Sequence, residues 1–570
     1  MATTMFHFGI IIFTCLTLCV DFATTQGRYY VVDSKPEQRT NAGTKFVFAL
    51  SENYSLRHNA TLVITNKSPL DTRVNITYNR KNIIENLAIP MGKHKTVYLP
   101  NDVVLKKTDG ITVQNGIAVI SDNDVIVQVY NDVHHRSMDG FLALPTHALG
   151  TEYYIITYSP WIQSQFALVA TEDDTEIYFT PAQPYQFARR TIVPAGSRIK
   201  LTANQFEAIQ LQCPECDFSG ARINSNKPIA VISGNRCASV PEDIQSCDHL
   251  VEQLPPVNQW GKTFIAAPLM GRPQASGNRF RILAARYGTE IGVGADSVSL
   301  KPGEYHDFQL AANETTLVVS NKPILTAQFC SGFEADNITG DPAMTLVPSL
   351  EQRVNEATFV TYNKTKEQTE VTNFITVHAD CTDFEDILLD GRQMTSIPDV
   401  EFTTVELTDY CIGSIEVARK GMHSIIGDTN TTMFSAILYG FAYYNSFAHP
   451  IAMGLKDTLC RSPLPGISDI VEHDCEQQLI TVQLPCMEVP NETLIECDYT
   501  ECVKPVYVIA IAVGCVLVAI MIETLIRTKL MVRENYVDKH FYTPRELYHR
   551  KAVVRKQHRD SNQVMTLYNK

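Results

Sequence analysis

The chain has 570 residues, of which 19% are charged and 45% hydrophobic, and its formal net charge is −14 at pH 7. With the basic C-terminal stretch set apart, residues 27–522 carry roughly −19, which argues against nucleic acid or an anionic membrane surface as their partner, because phosphate binding needs cationic patches.

In chain order, the first element is the apolar run Phe8–Val20, of the length of a signal-peptide hydrophobic region, followed by the small residues Ala23–Thr25. Residues 1–26 are therefore expected to be a signal peptide cleaved near Gly27. Residues 27–451 are expected to form an ectodomain of about four β repeats, 46–159, 160–270, 278–362 and 371–451. The string "SNKPI" stands at Ser225–Ile229 and again at Ser320–Ile324, and its surroundings recur with it. Upstream lie "FALVATEDDTEI" (Phe166–Ile177) and "FRILAARYGTEI" (Phe280–Ile291), then the turn signals "VPAG" and "KPG". Downstream lie "DHLVEQLP" (Asp248–Pro255) and "DPAMTLVP" (Asp341–Pro348). A fainter copy runs through "SDNDVIVQVYN" (Ser121–Asn131) to "DGFLALP" (Asp139–Pro145), and a fourth from "NFITVHADC" (Asn373–Cys381) to "FAYYNS" (Phe441–Ser446).

Runs such as "FALVA", "TEIYF" and "PIAVISG" are β-branched and aromatic, bounded by Gly, Pro, Asn and Asp. Five to seven such strands per unit predict an all-β fold of tandem β-sandwich-like modules. Propeller blades, at about 40–50 residues each, are the competing repeat. SNKPI itself reads as a turn leading into a core strand, and Asp139, Asp248 and Asp341 as turn caps.

From 452 to 504 five cysteines fall in a segment too small for a good apolar core, expected to be a Cys-rich juxtamembrane stalk. "PVYVIAIAVGCVLVAIMI" (Pro505–Ile522) has no charge and the length of a membrane span, so 505–526 is expected to be a transmembrane helix. The tail 527–570 holds 11 Lys/Arg against 4 Asp/Glu, which favours the cytoplasmic side. The expected topology is a single-pass type I protein of the plasma membrane, N-terminus outside, with a basic tail that is a candidate site for a cytoplasmic adaptor.

Nine N-glycosylation sequons begin at Asn53, Asn59, Asn66, Asn75, Asn313, Asn337, Asn363, Asn430 and Asn491, none in the tail. Twelve cysteines fall between the signal and the membrane: Cys213, Cys216, Cys237, Cys247, Cys330, Cys381, Cys411, Cys460, Cys475, Cys486, Cys497 and Cys502. An even number in an oxidising compartment suggests up to six disulfides. Cys237–Cys247 is the best single pair, since nine intervening residues close at little conformational cost. An odd count in the stalk sends one of its cysteines to an upstream partner such as Cys330, or to another chain.

The strings "GFLALPTHALGTEYYIITYSP", "SGARINSNKPIAVISGNRC", "CDHLVEQLPPVNQWGKTF" and "GFAYYNSFAHPIAMGL" resemble the N-terminal domain of the IgGFc-binding protein family, over about Phe46 to Leu455. The resemblance implies an extracellular binding module and brings no catalytic residues with it. The residues themselves offer no Gly-X-Ser-X-Gly, His-Glu-X-X-His, P-loop or EF-hand loop, and no cofactor motif. "CPEC" (Cys213–Cys216) lacks a thioredoxin-like context and reads as a structural disulfide. His134 and His135 with Asp132 and Asp139 would be a metal set only if adjacent histidines in a strand shared a face, and they do not. The expected function is a non-enzymatic cell-surface adhesion or recognition receptor for an extracellular protein or glycan. The alternative is an extracellular enzyme whose site forms between modules, which an inter-unit cleft combining acids and histidines would favour.

Overall fold

The computed structural model describes residues 40–458 apart from 55–59, 79–80, 107–110, 134–135, 188–190, 273–277, 312 and 364–369. The strands within it repeat one antiparallel topology four times. At the middle of each of the first three units runs one long strand: Ile117–Val133, Arg222–Ala238 and Thr316–Cys330. Its first half pairs into an outer sheet and its second half into an inner one. In unit two the outer partners are Thr175–Thr180 and Gly150–Tyr154, and the inner partners are Gln163–Ala170 and Asp248–Leu254. Both sheets line a common apolar interior, as Phe264, Phe280, Ile282, Ile291, Leu310, Val318 and Ile324 do in unit three.

Burial follows this layering. The inner strand Gln163–Ala170 is buried at every residue, because its sheet lies between the outer sheet and neighbouring units. The outer strand Thr175–Thr180 alternates buried with half-buried, one face inward and one toward water.

SNKPI is not a turn. Both copies lie inside the long strand, at the point where it changes partners. Ser225 is opposite Ile177 and Ser320 opposite Ile291, while Ile229 is opposite Ala170 and Ile324 opposite Ala284. Between those pairs the register against the unit's first strand slips, so Pro228 and Pro323 sit in a bulge where no ladder N–H is needed. The strings recur together because they bond to each other. Asn226 Oδ1 accepts the Glu176 N–H at 2.8 Å, and Asn321 Oδ1 accepts the Glu290 N–H at 2.9 Å. Lys227 Nζ donates to the Asp173 carbonyl and Lys322 Nζ to that of Tyr287, at 2.8 and 2.9 Å. In unit four the long strand is interrupted, as Met422–Gly427 and Phe434–Ala442, and its two sheets are separate.

The unit limits read from the landmarks also need correction. Gly150–Tyr154 pairs into unit two rather than closing 46–159, Gly261–Ala266 into unit three rather than closing 160–270, and Glu356–Val360 into unit four rather than closing 278–362. Each is the first strand of its unit, entered from a short 3-10 turn at Thr146–Ala148, Val257–Gln259 or Leu350–Gln352. The landmarks begin one strand later, so the entry strand was assigned to the preceding unit. Ile111–Asn115, from the first unit, extends the inner sheet of the second as an edge strand.

After each long strand the chain turns back into a central strand: Ser137–Leu142, Asp248–Leu254, Ala343–Leu346 and Asn445–Ala452. These four neighbour one another in a closed cycle, first to second to third to fourth to first. The ring is fastened where Thr40 and Leu455 exchange backbone hydrogen bonds of 3.1 and 3.2 Å. Among the described residues no helix is long and apolar enough to cross a membrane. The expected span 505–526, the signal 1–26 and the tail lie outside them.

Candidate functional site

Asp139, read from sequence as a turn cap, is inside the first central strand and fully buried. Its carboxylate accepts backbone N–H groups from Gly140 at 2.9 Å, Val251 at 3.0 Å, Met344 at 3.2 Å and Ala448 at 3.2 Å. One side chain thus ties together the central strands of all four units. Burial pushes its carboxyl well above the usual range, against the pull of those four donors. Glu252, also buried, accepts the Leu346 N–H at 3.0 Å, and burial pushes it up in the same way. His249 bonds to the Asn235 carbonyl at 2.8 Å and approaches the Asn131 amide at 3.2 Å. The axis therefore combines acids and histidines from different units, but it is closed to solvent.

The loops that lead into the strands carrying Val251, Met344 and Ala448 touch one another, which puts the starts of those strands at one end of the ring. The loops entering those strands meet there. The unit-two loop is closed by the disulfide Cys237–Cys247, with Cα atoms 5.3 Å apart. Glu334 of the unit-three loop accepts the N–H groups of Gln245 and Ser246 at 2.7 and 3.2 Å, and the Gly332 N–H reaches the Val240 carbonyl at 2.8 Å. Phe333 lies edge-on to Tyr443, ring centres 6.4 Å apart, joining the unit-four hairpin.

This loop end carries exposed aromatics on a rigid base. Tyr443 and Tyr444 form the hairpin tip, 48% and 44% exposed, with hydroxyls 2.9 Å apart. Tyr444 has φ of +60°, a backbone state that a bulky residue rarely adopts. Trp161, whose N–H donates to the Cys237 carbonyl at 3.2 Å, and Tyr54, whose carbonyl accepts from Arg236 at 3.4 Å, are exposed at the same end. Glu242 and Asp243 add exposed acid.

Two inter-unit features elsewhere have clear limits. A cleft of 790 Å³ between units three and four is lined by Leu269, Arg272, Asn313, Glu401, Thr403 and Ser414 among others, with no histidine. At the junction of units two and three, Arg281 is 4% exposed, bonding Asp307 at 2.7 Å twice and Asp217 at 2.6 Å. Burial raises the Asp217 carboxyl, but Arg281 and the Thr157 and Ser219 hydroxyls outweigh it and hold it below the usual range. This is a satisfied ion network that joins two units.

Three disulfides are present among the described residues: Cys213–Cys216, Cys237–Cys247 and Cys381–Cys411. Cys330 is buried, and Cys460, Cys475, Cys486, Cys497 and Cys502 lie outside the described residues, as do Asn59, Asn491, His134 and His135. Asn313, Asn337, Asn363 and Asn430 are exposed, and Asn75 is half-buried. Asn53 and Asn66 are corrections. Both are buried, and the amide nitrogen a glycan would need is spent, on the Asn131 carbonyl at 2.9 Å for Asn53, and on those of Leu70 and Ile89 at 2.8 and 3.0 Å for Asn66. Among the described residues no group of three or more His, Cys, Asp or Glu is placed to hold a metal ion.

Residues 139–440, more than half of the chain and reaching from the first central strand to the last long-strand segment, match the IgGFc binding protein family. A human IgGFc-binding protein is 26% identical over 318 residues, which is 54% of this chain and 6% of that protein. The chain thus spans only a small part of its relative, and the likeness lies in the ring. On that match across the units, the chain belongs to the IgGFc binding protein family.

Proposed function

We propose that the chain is a cell-surface recognition or adhesion receptor, anchored by 505–526 and binding an extracellular protein through the loop end of the ring. The observation that carries this reading is the gathering of Tyr54, Trp161, Tyr443 and Tyr444, exposed, on loops held by a disulfide and by inter-unit hydrogen bonds. Tyr and Trp on a preorganised base are the side chains from which protein interfaces draw most of their energy, since little entropy is lost on contact. Glu242 and Asp243 favour a partner with a basic patch. The family name supports a protein ligand, and antibody Fc is one probe among several. Binding rather than catalysis is our reading of the axis, whose acids are buried and committed to backbone donors.

The test is to display the full chain on cells and probe it with tagged extracellular proteins, Fc included. Any binder is then compared on Trp161→Ala and Tyr443→Ala, with Tyr287→Ala, an exposed residue of the outer sheet side in unit three, as control. Loss of about tenfold or more at the loop end alone supports the reading. Equal binding by all three variants would sink it.

A further inference from the structure

In units two, three and four, the strand beside the first inner strand turns one face toward the preceding unit: Glu207–Cys213, Tyr305–Leu310 and Tyr410–Glu416. In unit two that face is filled from unit one. Glu52 Oε2 accepts from the Gln212 amide at 2.8 Å, and the Glu52 N–H donates to Gln210 Oε1 at 3.2 Å. In unit three it is filled from unit two, where Asp217 meets Arg281 beside Asp307. Unit four differs. Its Ile412 and Ser414 face the cleft of 790 Å³, which Leu269 and Met270 of unit three also line. Glu401 and Thr403, exposed on the neighbouring strand, extend the same wall, and their side chains make no hydrogen bond among the described residues.

Two N-glycosylation sequons border this cleft. Asn313 and Thr315, the first and third residues of one, both line it, and so does Ile338, the middle residue of the other. Asn313 is exposed, and its side-chain amide makes no hydrogen bond among the described residues, unlike those of the buried Asn53 and Asn66. Its turn is fixed: the Glu314 N–H donates to the Ala311 carbonyl at 3.1 Å, and the Ala311 N–H to Glu314 Oε2 at 3.0 Å. An oligosaccharide presents apolar C–H faces and many hydroxyls. The wall offers surface for both, Leu269, Met270 and Ile412 beside Glu401, Thr403 and Ser414. A sugar tethered at Asn313 is held there at an effective concentration on the order of millimolar, and it obstructs any free ligand entering the same space. Asn337 is the poorer anchor, since only its neighbour Ile338 borders the cleft.

We propose that Asn313 carries an N-linked glycan whose core seats in this cleft and cements units three and four. In the attachment, the Asn313 amide nitrogen attacks the anomeric carbon of a lipid-diphosphate-linked oligosaccharide, the donor used by the secretory pathway's transferase. A C–N bond forms and the bond from that carbon to the diphosphate oxygen breaks. The lipid diphosphate leaves with the electron pair, and the amide loses one proton. The sugar then does at this junction what Glu52 and Arg281 do at the other two. The inference rests on the extracellular reading of the chain, but not on a partner at the loop end.

The full chain is expressed in animal cells, purified in detergent and treated with peptide N-glycosidase, either native or denatured, and its glycopeptides are read by mass spectrometry. The expected result is glycan on both Asn313 and the exposed Asn430. Native release at Asn313 should be slower than at Asn430 by about tenfold or more, and equal once the chain is denatured. The double change Glu401→Ala with Thr403→Ala keeps the sequon and should bring native release at Asn313 up toward that at Asn430. Asn313→Gln should speed hydrogen exchange by about tenfold in Leu269–Gly271 and Glu401–Thr404. Asn313 bare while Asn430 is occupied overturns the proposal and leaves the extracellular reading standing, whereas bare sequons throughout overturn both. Native release as fast at Asn313 as at Asn430 overturns the seat in the cleft. So does release that the double change leaves slow, or exchange that Asn313→Gln leaves unchanged.

Discussion

The interior of a unit and the axis of the ring are both buried, yet they are built from opposite materials. Phe166, Phe179, Tyr185 and Phe218 interlock in unit two with ring centres 4.9–6.2 Å apart, and all four belong to that one unit. The axis holds Asp139, Asp248, His249, Glu252, Asp341, Asn445 and His449. Apolar packing is non-directional and tolerates volume-conserving change. A carboxylate shared by several backbones has direction, so it sets the mutual register of the units as well as their cohesion. Unit four makes the point. Its long strand is broken and its SNKPI counterpart is gone, yet Ala448 still donates to Asp139.

The largest effect should come from Asp139→Ala. It leaves four buried N–H groups without an acceptor, at about 1–3 kcal/mol each, enough to remove most of the stability of an ordinary domain. Hydrogen exchange should show protection falling in all four units. Loosening confined to unit one would break the contrast drawn above.

Next come Phe166→Ala and Arg281→Met, each expected to cost about 3–5 kcal/mol in urea unfolding. The first empties a site inside unit two. The second strands Asp217, whose side chain is largely buried at the junction of units two and three, while the half-exposed Asp307 keeps its water. Exchange should localise the first to one unit and spread the second over two.

A smaller effect concerns pH. His378 and His449, fully buried in unit four, are pushed by burial from 6.5 down to about 4. A lowered folded value means stability present above pH 6.5 and lost as pH falls toward 4, about 3 kcal/mol per histidine. Asp341, raised to about 7, works the other way, favouring the fold below its ordinary value of 3.8 and losing that contribution as pH rises through 7. Asp139, Asp248 and Glu252 are raised by burial too and add to that opposing trend, so the histidine share is read as the difference between wild type and variant below pH 6.5. His449→Gln should flatten the acid limb. An acid limb unchanged by it would remove this histidine from the account.

The smallest is Tyr444→Gly. It relieves the φ of +60° and should stabilise by about 1 kcal/mol, while weakening any partner that uses the tyrosine pair. Destabilisation by this change would mean that the pair itself holds the hairpin.

Much of the unit was legible in the sequence because its signals are local. Thr-Glu-Ile and Ser-Asn-Lys-Pro-Ile recur together since Glu176 bonds Asn226 and Glu290 bonds Asn321, some 31 to 50 residues apart within one unit. Cys237–Cys247 was readable for the same reason, a short loop between two anchored strands. The entry strands were misplaced because nothing in "GTEYY" says which long strand it will join. The buried sequons Asn53 and Asn66 look like any other, since three residues carry no information on what covers them.

By itself, then, the sequence determined the β class, the fourfold repetition and the family, all of which rest on periodicity and on motifs of neighbouring residues. Tertiary structure alone decided that the recurring aspartates turn inward rather than cap loops. The three donors to Asp139 from other units lie 112, 205 and 309 residues further along the chain, and no spacing rule reaches that far. It also decided which loops share an end of the ring, because that rests on contacts between units, such as Glu334 with Gln245 and Phe333 with Tyr443. A repeat can be read one unit at a time, but a centre belongs to none of the units and exists only once the ring has closed.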